Sequence, residues 1–187
     1  VSAFDVRPAV KEQVESLGGK FVEVVDEDAD SAETAGGYAK EMSEDYQRRQ
    51  GELIHETLKG QDIAICTALI PGRTAPVLIT AQMVADMKPG SVIVDLATET
   101  GGNCELSEHG KVVVKEDVSI VGHANVPGRV PVDASALYAR NLLNFLSPMI
   151  DAESKSLAID WEDEVNTGAC VTRDGKVVHP MLTEGDG

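Results

Sequence analysis

Three observations predict an α/β fold built on a doubly wound parallel sheet. Short apolar runs rich in β-branched residues alternate with helical stretches, beginning as strand, helix, strand over 1–25. Two of these runs, IAIC at 63–66 and SVIVDLA at 91–97, are nearly continuous in apolar character, as strands buried on both faces of a parallel sheet are. Beyond the first of them come the small side chains of Thr67 and Ala68, with Leu69, at the carboxyl end of the strand, where open parallel sheets bind their ligands.

In chain order, Val1 to Phe4 reads as a strand ending at Asp5. Arg7-Pro8 follows, with proline at the first position of a helix running to about Leu17. Gly18-Gly19 end that helix, and Phe21 to Val25 form a second strand. Asp26 to Glu33 is an acidic, solvated loop. Thr34 to Ser43 then places Gly36-Gly37 before Tyr38, which suits a mobile loop closing on a ligand and equally a short helix with Tyr38 packed on its face. Tyr46 to Leu58 is helical and leads into the 63–66 strand, which these patterns place mid-sheet. Pro71-Gly72-Arg73 makes a turn, Thr80 caps a helix to about Met87, and Ser91 to Ala97 is the next buried strand. It ends at Thr98-Glu99-Thr100-Gly101-Gly102-Asn103, where Glu99 is the carboxylate placed to reach a ligand. Lys111 to Lys115 and Val118 to Gly122 are two more strands, and His123 to Arg129 turns at the same edge. A long helix from Asp133 carries Leu137, Tyr138, Leu142, Phe145, Leu146 and Ile150 at a 3.6-residue period. Beyond it, Leu157 to Trp161 and Ala169 to Thr172 read as short strands, with Asp174-Gly175 turning into Val177-Val178. The change of character divides the chain into 1–128, the larger part of a nucleotide-binding domain, and 129–187, a linking helix with part of a companion α/β domain.

Composition narrows the chemistry. The 187 residues are 42% hydrophobic and 4% aromatic, and 16 basic against 32 acidic residues leave a net charge of −16. That field disfavours binding nucleic acid or an anionic membrane through a broad surface and suits a basic partner. No stretch approaches the ~20 apolar residues of a membrane span. Cys66, Cys104 and Cys170 lack the spacing of a zinc site or a disulfide framework, and the four histidines are scattered, so neither a metal centre nor a Ser/Cys-His catalytic group is expected. Cys66 reads as core.

In a dinucleotide-binding fold, an acid at the end of the second strand hydrogen-bonds the adenosine ribose and disfavours a 2′-phosphate. Asp5 fits that role and implies NAD(H). Arg7, two residues on, could instead receive a 2′-phosphate, so local chemistry leaves NADP open. The absent initiator methionine and a strand already under way at Val1 make the chain read as a fragment lacking the first strand and glycine-rich turn of a Rossmann-type fold. A slot is then expected between the strand at Val1–Phe4 and that at Ile63–Cys66, filled by a part that accompanies this chain.

Together the stretches FDVRPAVKEQVESLG, ETAGGYAKEMS, TALIPGRTAP, MKPGSVIVDLATETGGNCE, VGHANVPGR, DWEDE and VTRDGKVVHP resemble the NAD(H)-binding domain at the N-terminal part of the α subunit of proton-translocating NAD(P) transhydrogenase. They are similar, more loosely, to alanine dehydrogenase. The resemblance implies that Asp5, Val6 and Arg7 hold the adenosine ribose. It also implies that Gly37, Tyr38 and Ala39 belong to a loop closing over the nucleotide, and that Thr67, Ala68 and Leu69 form the strand end against which it rests. It implies no catalytic acid or base and no metal in this region. It further implies a homodimer, a partner domain that binds NADP(H), a membrane domain coupled to proton passage, and a location on the cytoplasmic face of a bacterial inner membrane, or in the mitochondrial matrix for a fused eukaryotic form. Two other readings compete: an alanine dehydrogenase, which needs a base and a carboxylate clamp with Glu99 at the matching acidic position, and a non-catalytic NAD-binding module.

Overall fold

A computed structural model of the chain describes residues 1–7, 9–24, 43–70 and 72–183. The chain divides into two compact units, Val1–Val126 and Pro127–Gly187.

The first unit opens with β1 (Ser2–Phe4), α1 (Ala9–Ser16) and β2 (Lys20–Val22), and the two strands pair in parallel. Ser43 starts α2 (Glu44–Leu58), its hydroxyl accepting from the Tyr46 amide. There follow β3 (Ile63–Cys66), α3 (Ala81–Ala85), β4 (Val92–Asp95), β5 (Val112–Lys115) and β6 (Val118–Val121). Thr80 caps α3 as its sequence position requires, accepting from the Met83 amide. These strands form a second sheet in the order β3-β4-β6-β5, parallel except for β5, which returns as a hairpin through Glu116 and Asp117 at φ 49° and 58°.

α2 and α3 supply Ile54, Leu58, Met83, Val84 and Met87 to a core completed by Cys66, Ile93, Cys104, Val118 and Ile120 from or beside the sheet. Val84, Ile93, Val118 and Ile120 are fully buried, each such side chain contributing about 1.5–3 kcal/mol on leaving water. Outside this core His55 Nε2 meets Asp86 Oδ2 at 2.7 Å, tying α2 to the end of α3.

The opposite face differs from expectation. Register places Ile63, Val92, Ser119 and Val114 in one row and Ile65, Val94, Val121 and Val112 in the next. Ile63 and Ile65 are 63% and 66% exposed, and Val112 and Val114 are also exposed, because no described residue lies over them. So β3 is not buried on both faces, nor is it mid-sheet. It is the edge of its sheet, and β1-β2 form a separate pair with no ladder to it. Phe4, at the end of β1, nevertheless packs against the core.

The second unit begins with α4 (Pro131–Leu146), with proline in its first turn, and a one-turn helix at Ser147–Met149. The helix therefore ends before Ile150, and none of its residues is buried. Leu157 makes a single bridge to Ile150, and Leu157 to Trp161 is otherwise not strand. Ala169 closes a short helix, α5 (Glu164–Ala169), instead of opening a strand. The reason is Asp163, whose carboxylate accepts from the Val165 and Asn166 amides as a helix cap. The hairpin is present: β7 (Thr172–Arg173) and β8 (Lys176–Val177) pair around Asp174-Gly175 at φ 51° and 74°. Arg173 stacks on Trp161 at 4.1 Å.

Hydrogen exchange on the 187-residue chain is expected to be slowest at β4 and β6 and at least about tenfold faster at β1, whose two-stranded sheet is marginal by itself. Equal protection at β1 and β4 would contradict the divided sheet.

Candidate functional site

β4 ends on Asp95, a carboxylate fully buried at the carboxyl edge of the sheet. Its Oδ1 accepts from the Ala97 amide at 3.0 Å, and Oδ2 accepts from the amides of Asn103 and Cys104, both at 2.9 Å, and from the Ser107 hydroxyl at 2.7 Å. Four donors on one carboxylate fold the segment after β4 back on itself. Gly102 has φ 87°, and a Cβ there would stand 2.9 Å from Asp95 Oδ2, so the close approach requires glycine.

Asn103, also fully buried, carries that order across to β3. Its Oδ1 accepts from the Ala68 amide at 3.0 Å, while Nδ2 donates to the carbonyls of Ala68 at 2.9 Å and Pro76 at 2.8 Å. The Asn103 carbonyl accepts from the amides of Leu78 and Ile79, and the Ala75 amide donates to Thr100. The loop leaving β3 is thereby fastened to the turn leaving β4. Between them lies an open cleft of about 500 Å³ lined by Gly72, Arg73, Thr74, Thr100 and Gly101. Thr67 and Leu69 flank the fastened Ala68 and are exposed. Leu69 shows 51% of its surface at a strand tip, an apolar contact open to a ligand.

Asp5, at the end of β1, receives the Arg7 amide at 2.9 Å and the Arg7 guanidinium through Nε at 2.9 Å and Nη2 at 2.8 Å. Burial pushes the Asp5 carboxyl up, but the hydrogen bonds and charge of Arg7 outweigh it and hold it below its ordinary 3.8. Val6, between them, is half-buried. Gly37, Tyr38 and Ala39 lie outside the described residues.

Glu99 is engaged: its Oε1 accepts from the Asn125 amide at 3.1 Å, joining the segments that leave β4 and β6. Cys66, paired with Asp95 in register, is buried as expected. Burial, with Asp95 and Cys104 beside it, pushes its thiol up to about 12. Sequence reasoning passed over Asp95 and Asn103. The available signal was a lone carboxylate closing the apolar run VIVD, eight residues before an asparagine that follows two glycines.

The chain belongs to the alanine dehydrogenase/PNT C-terminal domain family, whose profile matches residues 1–180. Within it, the chain is 63% identical over 183 residues to an NAD(P) transhydrogenase subunit alpha of Rhodospirillum rubrum, covering 98% of this chain and 48% of the relative. The crystal structure of the transhydrogenase from Sinorhizobium meliloti superposes with a TM-score of 0.72 at 49% identity, covering 95% of this chain and 45% of that one. An L-alanine dehydrogenase structure shares the fold at a TM-score of 0.55 and 22% identity, covering 98% of this chain and 45% of that one. The chain thus spans about half the length of the relatives it matches.

Two outcomes are expected. Asp95→Ala strands the amides of Ala97, Asn103 and Cys104, each buried unpaired donor costing about 1–3 kcal/mol, so denaturant unfolding should show a loss of at least about 3 kcal/mol. With its thiol pushed up to about 12, roughly one Cys66 in ten thousand is thiolate at pH 8, so iodoacetamide should leave Cys66 unmodified until the protein unfolds.

Proposed function

We propose that this chain is the NAD(H)-binding portion of a proton-translocating NAD(P) transhydrogenase, with 1–128 belonging to the nucleotide-binding domain and 129–187 to the companion domain. The observation that carries the reading is the 63% identity, across 98% of this chain, to a transhydrogenase α subunit. The reaction is direct hydride transfer between NADH and NADP, the second nucleotide held by a partner domain and the transfer coupled to proton movement through a membrane domain. The enzyme acts as a homodimer at the cytoplasmic face of a bacterial membrane, or in the mitochondrial matrix. Among the described residues no helix is long and apolar enough to cross a membrane, so the membrane passage falls to the partner domain.

Bound NAD(H) supplies the hydride at carbon 4 of its nicotinamide ring; the residues here bind and orient. Asp5, pointed by its two-pronged bond to Arg7, accepts from the adenosine ribose hydroxyls. Val6 and Arg7 complete that end. Thr67, Ala68 and Leu69 form the surface on which the nucleotide lies, and the exposure of Leu69 fits an apolar contact there. Gly37, Tyr38 and Ala39 are assigned to the same site on sequence grounds. Hydride passage between two rings moves no proton at the reacting carbons, so the site's task is positioning and exclusion of water. The apolar face carrying Ile63 and Ile65, with the free edges of β1 and β3, is covered by the remainder of the longer protein. An alanine dehydrogenase needs a carboxylate free for acid–base work, and Glu99 is instead bonded to the Asn125 amide.

The test uses the intact protein. Wild type should bind NADH and, mixed with an NADP-binding partner, reduce an NADP analogue at the expense of NADH. Alanine-dependent NAD reduction with ammonia release would overturn the reading. Asp5→Asn should weaken NADH binding by about tenfold. The Asp5 carboxyl is held below 3.8, so its charge is complete above roughly pH 5 and is lost only as pH falls through that lowered value. The contribution of Asp5 to NADH affinity should therefore stay flat between about pH 5.5 and pH 8.

A further inference from the structure

We propose that Asn103 is a positioning residue for the nucleotide site, a clasp that closes the 68–76 loop and fixes the peptide on which the dinucleotide rests. The proposal builds on the NAD(H) reading above. One side-chain amide satisfies both backbone groups of Ala68 and also the carbonyl of Pro76, so it holds the two ends of a single loop at once. At Ala68 it does what a neighbouring strand would do: it pairs the amide and the carbonyl of one residue, at the point where the ladder between β3 and β4 has stopped at Cys66.

No other side chain of similar size performs this task. The site needs one acceptor and two donors on a short stem, and asparagine offers that set in one plane. Aspartate would lose both donors, and leucine would strand the Ala68 amide and carbonyl in a buried setting. The clasp is itself held, because the backbone amide of Asn103 donates to Asp95 Oδ2. With the Ala68 groups satisfied internally, the exposed residues facing a ligand are Thr67 and Leu69, and the loop that carries Arg73 and Thr74 along the cleft has fixed ends. Order at the seat thus exists before the nucleotide arrives, and ordering costs are not charged against binding.

A purely structural role predicts that loss of affinity follows loss of stability. The clasp predicts that they separate. In the intact protein, Asn103→Ala and Ser107→Ala are to be compared, since Ser107 also bonds Asp95 but makes no contact with Ala68. Both should lower the melting temperature. At a temperature where both variants are fully folded, Asn103→Ala should raise the Kd for NADH at least about tenfold, and Ser107→Ala should change it less than twofold. Equal effects on NADH binding, or an unchanged Kd in Asn103→Ala, would overturn the proposal. Absence of NADH binding by the wild type would instead overturn the function on which it rests. Should Asn103→Ala fail to fold, the wild type still decides: on adding NADH, the Asn103 side-chain amide protons should shift and exchange more slowly, together with the Ala68 amide. Unchanged signals at both would refute the clasp.

Discussion

One buried carboxylate organises the working edge of this molecule. Asp95 ends the central strand β4 and gathers four donors from the next twelve residues. Burying a carboxylate is costly unless its oxygens are hydrogen-bonded, and here both are. The same bonds also satisfy backbone amides that a turn at a sheet edge would leave unpaired. The acid and the turn each remove the other's desolvation penalty, which is why the segment 96–107 can lie tight against the strand end. Gly102 is the steric condition for this arrangement, since any Cβ would intrude on Oδ2.

From this anchor, order passes to the neighbouring loop. Asn103 is aimed by Asp95 and grips Ala68 and Pro76, and the backbone of the same turn receives Ala75, Leu78 and Ile79. Two loops from adjacent parallel strands therefore behave as one body at the edge where such sheets bind ligands. The apolar core beneath, from Ile54 to Ile120, supports the strands but leaves the direction of the loops open. Polar bonds supply that direction.

Much of the fold was legible because its signals are local. Thr80 with its helix, the β5–β6 hairpin and the Asp174-Gly175 turn all follow from cap and turn chemistry within a few residues. The misses have physical causes of two kinds. Apolar runs show that Ile63 and Ile65 suit a buried strand, but they carry no information on which parts of the protein are at hand to cover them. Asp163 looks like any acid in DWEDE, yet its carboxylate caps α5 and turns an expected strand at Ala169 into the end of a helix. At the site, Asp5 and Thr67 to Leu69 were readable from position at strand ends. Asn103 was not, because its three bonds reach residues 27 and 35 positions away.

The pairing of Asp5 with Arg7 bears on the choice the sequence left open between the two nicotinamide nucleotides. An unpaired arginine beside the ribose would welcome a 2′-phosphate. Here the Nε and one Nη of Arg7 are spent on Asp5, with Asp5 more buried than Arg7. A 2′-phosphate arriving at this edge would have to displace a two-pronged ion pair and then face the released carboxylate, while a ribose hydroxyl needs only an acceptor lone pair. A carboxylate accepts several hydrogen bonds at once, so Asp5 can keep Arg7 and still receive a hydroxyl. Two residues that singly argue for opposite cofactors therefore act together, and their combined effect favours the nucleotide without the extra phosphate.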